Sequence, residues 1–401
     1  MKKKIDLLAS FGIYGIGLLS FLIIEILIIK QYSSTNIANW AFYKSTVILI
    51  GSFTLLGYGQ VLLRDPRLIK THFKRFVIRA LMVSFFSTLL IFFVKDYSFK
   101  QALFIFLGIF LYGFLNYDSA ASRANNKLWK SQFSKNFWRC FILLFLLVNF
   151  TEDIFLLFVM AFTVTLLLSY FFKGYEIESL SKEHEDISIS QAEGLSRAFL
   201  IMSITLIFAV HGEQFVINLY GDEVASVHLF KYFAVVTPIA LSLNGFLGFY
   251  LGPKIIRNTN SKSFTNYNSL CKKVWLFSFA NTLVSSGVGL LFLLYYLDIN
   301  FKDLDFFLIG TLSCIVFIRG IYVTNSVYVG IYGKKSELFA VAKYIGVFTI
   351  LFLIAVVIAL FLFSGIFTAQ IIAILSLMNW LSRYVVSDVY AKRILNRETV
   401  V

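Results

Sequence analysis

Charge is scarce in this sequence. Of its 401 residues only 14% are Asp, Glu, Lys or Arg, where a soluble domain carries about a quarter. A water-solvated surface is therefore excluded for most of the chain. Proline occurs 3 times, so few apolar runs are interrupted. The three cysteines, Cys140, Cys271 and Cys314, all lie in or beside apolar runs. They read as packing thiols rather than a disulfide or metal set. The four histidines, His72, His184, His211 and His228, form no metal-binding or acyl-transfer constellation. No loop is long enough to hold a soluble domain. What is abundant is apolar: 59% of residues are hydrophobic, with 46 Phe and 21 Tyr, in repeated runs of about 20 residues. That is the pattern of a polytopic membrane protein, because about 20 apolar helical residues cross a bilayer core. Met1 to Lys4 followed by an apolar run mimics a signal peptide, but the run lacks a small-residue cleavage site and reads as a retained first helix.

Twelve apolar segments can be drawn, at about 9–30, 38–63, 76–94, 99–122, 134–150, 153–172, 195–218, 225–252, 272–297, 304–330, 337–362 and 365–390. Taking the amino terminus and every second loop collects 26 of the 36 Lys and Arg, while the alternate loops hold 4. Basic loops resist translocation, so this asymmetry predicts both termini in the cytoplasm. The formal net charge of +14 belongs to those loops and does not argue for nucleic acid. The longest loop, around 173–193, contains Glu183-His184-Glu185-Asp186 and reads as a solvated linker rather than a metal site. The predicted organisation is a six-helix bundle over 1–175, a cytoplasmic linker over 176–194 and a second six-helix bundle over 195–401.

The two halves repeat. At an offset of 188, Glu25 falls on Glu213, Tyr32 on Tyr220 and Phe42 on Phe230; at 187, Lys44 falls on Lys231 and Pro66 on Pro253. Further on, residues 113–127 align with 320–334 at an offset of 207. An even number of helices per half gives both halves the same orientation, related by an axis along the membrane normal. Pro238 should kink the eighth segment, and Gly51, Gly57 and Gly59 allow the second to bend or pack closely.

With the residues at the segment ends counted among the loops, six basic residues lie inside the segments: Lys44, Arg139, Lys231, Arg319, Lys343 and Arg383. The acids well inside are fewer, Glu25, Asp118 and Glu213, with Asp388 near an end. Each such charge costs about 2.5–3.5 kcal/mol to insert, which points it toward a wet cavity or a partner rather than lipid. Glu25 and Lys44 share a depth roughly 8–9 Å below one membrane boundary at 1.5 Å per residue, as do Glu213 and Lys231. Each pair fits either a structural ion pair or an outer gate. Arg139, Lys343 and Arg319 lie deeper and leave a surplus of positive charge that would concentrate an anion. Arg139, Lys343 and Arg383 also lie near enough to helix ends to snorkel. Glu25, Glu213, Asp118 and His211 are the candidates for gating or ion coupling, His211 as a proton relay. The substrate-binding candidates are Arg139, Arg319, Lys343, Lys44 and Lys231. No catalytic residue, metal or cofactor is expected.

Gly15-Ile16-Gly17-Leu18-Leu19-Ser20-Phe21, Trp40-Ala41-Phe42-Tyr43 and Gly57-Tyr58-Gly59-Gln60 running to Arg64, on a six-plus-six layout covering the whole chain, give a resemblance to a known family. The chain resembles the polysaccharide-unit flippases of the multidrug/oligosaccharidyl-lipid/polysaccharide exporter superfamily. The resemblance implies an all-α, V-shaped transporter of about twelve transmembrane helices in two bundles. It also implies a bacterial cytoplasmic membrane, a monomer among membrane lipids, and a cargo of undecaprenyl-pyrophosphate-linked oligosaccharide, an O-antigen or capsule unit, moved by alternating access. Other readings stay open. A drug/cation antiporter of the same fold calls for an acidic interior, a sugar polymerase for a large outer loop, and a membrane acyltransferase for a His-Asp constellation.

Overall fold

The computed structural model describes residues 2–398 except 65, 126, 152, 173–188, 221–222 and 258–262; at several helical positions, Glu213 among them, only the backbone is described. Among the described residues the chain is helical and contains no strand. Its α-helices run α1 Lys2–Gln31, α2 Ser34–Phe53, α3 Tyr58–Arg64, α4 Leu68–Val94, α5 Phe99–Ala124, α6 Leu128–Asn136, α7 Trp138–Leu147, α8 Ile154–Phe171, α9 Ile189–Tyr220, α10 Glu223–Val236, α11 Pro238–Arg257, α12 Phe264–Leu291, α13 Phe306–Tyr332, α14 Lys335–Leu362 and α15 Gly365–Glu398.

Eight of these are long and apolar enough to cross a membrane: α1, α4, α5, α8, α12 with the π-turn that extends it, α13, α14 and α15. The protein is thus an all-α, multi-pass membrane protein. The other four predicted segments differ for identifiable reasons. Segment 38–63 is split between α2 and α3 by a turn in which Leu56 and Gly57 both have positive φ, 44° and 79°. A Cβ on Gly57 would collide with Ser196 O and lie 2.6 Å from Leu200 N, so no larger residue fits this turn. Segment 225–252 is split at Thr237, where Pro238 opens α11 with its preset φ. Segment 134–150 is divided at Phe137 between α6 and α7. In α9 the side chains are described without interruption over Phe199–Gly212, and that stretch is apolar.

Local sequence sets the helix starts. Ser98 and Gln101 form a reciprocal capping box at α5, the Ser98 Oγ accepting from Gln101 N at 3.3 Å and Gln101 Oε1 accepting from Ser98 N at 2.9 Å. α6 has no cap of its own. Asp6 of α1 supplies one, accepting from Leu128 N and Trp129 N at 3.2 and 3.3 Å.

The chain forms two compact units, Met1–Phe215 and Val216–Val401. The division falls within α9, later than the expected start of the second bundle at 195; the 176–194 linker lies largely outside the described residues. The first part of α9 goes with the first unit because it packs there: Ser196 Oγ donates to Leu56 O at 2.8 Å, and Phe208 lies 5.6 Å from Phe53. In the first unit α5 is central, packed by α2, α3, α4, α6 and α8; in the second, α13 is packed by α10, α11, α12 and α15. These are the helices the repeat aligns. Gly113 of α5 and Gly320 of α13 are matched positions, and each is a point of close approach. A Cβ on Gly113 would lie 2.6 Å from Thr54 Oγ1, and one on Gly320 would lie 3.0 Å from Asn244 Oδ1 and collide with Ser278 Oγ.

Candidate functional site

In the first unit, α1 and α2 bring Glu25 and Lys44 into direct ion-pair contact, with both side chains buried. Lys44 Nζ also stands 5.4 Å from the centroid of the Phe21 ring. The opposing cation at that ring is Arg139, whose guanidinium lies 4.7 Å from the Phe21 centroid and 5.2 Å from that of Trp138. The Arg139 Nε and Nη1 are buried and have no hydrogen-bond partner among the described residues. Tyr14, Tyr112, Glu25 and Cys140 lie near enough to act on it electrostatically. Sequence places Arg139 here through its neighbour. Trp138 is fully buried against Phe158 and Phe162, which anchors the start of α7 and holds the next residue at the α1 face. A desolvated guanidinium on aromatic faces gains up to about 2 kcal/mol from the rings, but its N–H donors are satisfied only by an oxygen acceptor or water. Such a group can hold a phosphate or a sugar hydroxyl.

A second polar cluster lies on α5. Asp118 accepts from the hydroxyls of both Ser134 and Ser169, and its other oxygen is 3.6 Å from Lys130 Nζ. Ser119 and Ser131 bond alongside at 3.0 Å. Lys130 is 1% exposed. By sequence Lys130 falls in the loop between the segments 99–122 and 134–150, yet α6 carries it inward, because Asp6 caps α6 and the buried Phe133 and Trp138 hold the helix against the core.

In the second unit, Trp380 of α15 lies between two arginines, Arg319 with its guanidinium 4.6 Å from the ring centroid and Arg383 at 5.7 Å. Arg383 is 1% exposed. Its Nη2 donates to Thr349 Oγ1 at 3.2 Å, while its Nε has no hydrogen-bond partner among the described residues. Tyr322 stacks edge-on against Trp380 at 5.8 Å. Arg383 is therefore a core residue and not a snorkelling one; Trp380, three positions before it, was the overlooked cue.

Lys343 is exposed on α14, and Lys231 is half-buried on α10. His211 is half-buried on α9. The Glu213 side chain, and with it the Glu213–Lys231 pairing, lies outside the described residues, as does the 183–186 cluster. No group of His, Cys, Asp and Glu able to hold a metal occurs among the described residues. No family model matches the chain, and neither a curated protein nor a solved structure matches it.

Proposed function

We propose that this chain is a twelve-pass transporter that turns an anionic lipid-linked oligosaccharide, an undecaprenyl-pyrophosphate-linked O-antigen or capsule unit, across the bacterial cytoplasmic membrane. It would work as a monomer, with both termini cytoplasmic, by alternating access of two six-helix halves and without a cofactor. The cargo class rests on the family resemblance. The observation that carries it in the molecule is Arg139, a guanidinium on an aromatic platform whose buried Nε and Nη1 have no hydrogen-bond partner among the described residues. Arg suits phosphate through its planar fork, and aromatic faces beside it suit sugar rings. A drug/cation antiporter is disfavoured by the same geometry, because the buried acids Glu25 and Asp118 are already engaged by Lys44 and Lys130.

The test is surface polysaccharide production in a deletion strain, read beside the membrane abundance of each variant. Arg139→Gln and Arg319→Gln should reduce transfer more than they reduce protein level. Arg139→Lys should retain part of it, because charge survives while the fork is lost. Arg139→Glu should abolish it. Lys343→Gln, on the exposed face of α14, should be tolerated. Full production from both Arg→Gln variants would sink the anionic-cargo reading. Reporter fusions after Glu185 and after Glu223 test the twelve passes; both on one side of the membrane would refute them.

A further inference from the structure

The second unit contains a groove that the cargo reading does not use. It is a cavity of about 420 Å³ between α12, α13 and α15, within the roughly 300–1,000 Å³ of small-ligand sites. Its walls are apolar where Trp275, Leu276 and Ile321 line it, with Asn325 and Tyr384 as polar points and Lys272 at one end. Trp275 and Leu276 are 47% and 63% exposed on a helix long and apolar enough to span a membrane, so in a bilayer the groove would open sideways onto lipid. From Trp275 the apolar wall continues along α12. Trp275 stacks on Phe279 at 5.5 Å, Phe317 of α13 closes edge-on at 5.6 Å, and Leu283 is exposed one turn further.

The dimensions and charge identify an occupant. From Lys272 to Leu283 the helix rises about 16 Å at 1.5 Å per residue, close to the half-thickness of a hydrocarbon core about 30 Å across. The track is thus one leaflet deep, with an ammonium at its headgroup end and a tryptophan just beneath, the order in which an interface presents charge and then an amphipathic ring. Asp388, the carboxylate bonded to the lining Asn325, is held by Lys392 at 2.6 Å and by the Tyr267 hydroxyl at 3.1 Å. With Asp388 offset by Lys392, Lys272 leaves the mouth net positive. Basic pockets between membrane helices select anionic headgroups over zwitterionic ones.

We propose that this groove is a binding site for an anionic membrane phospholipid, its headgroup phosphate at Lys272 and one acyl chain along Trp275, Phe279 and Leu283. The site is independent of the cargo, and its test requires none.

The protein is reconstituted in vesicles of phosphatidylethanolamine containing a small, equal share of acyl-brominated phosphatidylglycerol or acyl-brominated phosphatidylcholine. Bromine quenches nearby tryptophan, and subtracting the signal of Trp275→Phe isolates Trp275 from the other four tryptophans. The expected result is half-maximal quenching by phosphatidylglycerol at about one-fifth the mole fraction that phosphatidylcholine needs, the ratio one lysine near a membrane surface supplies. Lys272→Gln should erase that ratio and Lys272→Arg should keep it; both substitutions are at an exposed residue. Inorganic phosphate at matched ionic strength should leave the ratio unchanged, since a lipid headgroup and not free phosphate is the ligand. Equal quenching by the two lipids would show ordinary bulk contact and overturn the proposal. A preference that survives Lys272→Gln, is lost in Lys272→Arg, or is abolished by inorganic phosphate would overturn it as well.

Discussion

The two units use matched central helices, α5 and α13, but handle charge on them differently. At the position where α5 carries Asp118, the repeat places Asn325 on α13. Asp118 sits in a fully buried cluster with Lys130 and two serine hydroxyls. Asn325 sits in a cluster with the Tyr267 hydroxyl at 2.8 Å and with Asp388 of α15 at 3.4 Å, and there the balancing Lys392 is exposed. The contrast repeats elsewhere in each unit. In the first, buried Lys44 is answered by Glu25; in the second, buried Arg383 is answered by a hydroxyl and an indole ring. The glycine contacts that fix helix spacing are shared between the units, whereas the charge chemistry is not. A helix scaffold tolerates either solution provided that each buried charge has some partner.

The largest expected effect separates these two solutions. Lys44→Met leaves Glu25 buried without its ion-pair partner and should destabilise the protein by about 3–5 kcal/mol. Arg383→Met removes a buried charge that pairs with no carboxylate among the described residues, so stability should hold or rise. Thermal denaturation of the purified protein in detergent compares them directly. An equal loss in both variants would mean that Arg383 has a counter-charge and that the units do not differ in this respect. In the α5 cluster, Asp118→Asn should cost about 3 kcal/mol by stranding Lys130, and adding Lys130→Met should recover most of it. No recovery in the double variant would show that the serine hydroxyls, not the lysine, need the carboxylate.

How much of this was legible in the sequence depends on the kind of signal. The membrane class and most helix spans were legible because apolar length is a property of contiguous residues. The break before Pro238 was legible because proline acts locally. The Glu25–Lys44 pair was legible because depth along two adjacent helices is simple arithmetic. Lys130 was not, since its burial depends on Asp6, over a hundred residues away, capping the helix that carries it. Nor was the contact of Arg319 with Trp380, because a cation on the ring of another helix leaves no spacing rule in one sequence, unlike Arg383 three positions after Trp380 on the same helix. Lys343 and Arg139 looked alike as cations opening a helix, and only packing separates the exposed side chain from the one held against Phe21.

A smaller effect sharpens the aromatic half of the comparison. Trp380 serves two guanidinium groups, whereas Trp138 shares Arg139 with Phe21. Both Trp→Leu changes remove similar core volume, so the informative quantity is their difference. Trp380→Leu should cost about 1 kcal/mol more than Trp138→Leu, the contribution of one further desolvated cation–π contact. A larger loss from Trp138→Leu would place the main aromatic support in the first unit.

The smallest expected effect concerns two aspartates that cap helices in the two units. Asp153 caps α8, its Oδ1 accepting from Phe155 N and Leu156 N at 3.1 and 3.3 Å, and pairs with Lys100, whose side chain is 66% exposed. Asp305 caps α13 just ahead of the span Phe306–Tyr332, its Oδ1 accepting from Leu308 N at 2.9 Å. Its Oδ2 contacts Gln370 Nε2 at 2.8 Å and His228 Nε2 at 3.0 Å, and Tyr232 accepts its backbone N–H at 2.9 Å. Burial pushes the Asp305 carboxyl up, but the bonds from Leu308, Gln370 and His228, with the His228 charge, outweigh it and hold the group below its ordinary value. A carboxyl whose pKa is lower folded than unfolded adds stability that is fully present above the unfolded value, near 3.9, and is lost as pH falls through the folded one. The melting temperature should therefore drop on acidification below about pH 4, and Asp305→Asn should flatten that part of the profile while lowering stability at neutral pH. Asp305→Ala should cost up to about 2 kcal/mol at neutral pH and Asp153→Ala closer to 0.5, the two ends of the range for losing a helix cap, because an exposed ion pair adds little. An unchanged acid limb in Asp305→Asn would assign the acid sensitivity to another carboxylate and leave the two caps equivalent.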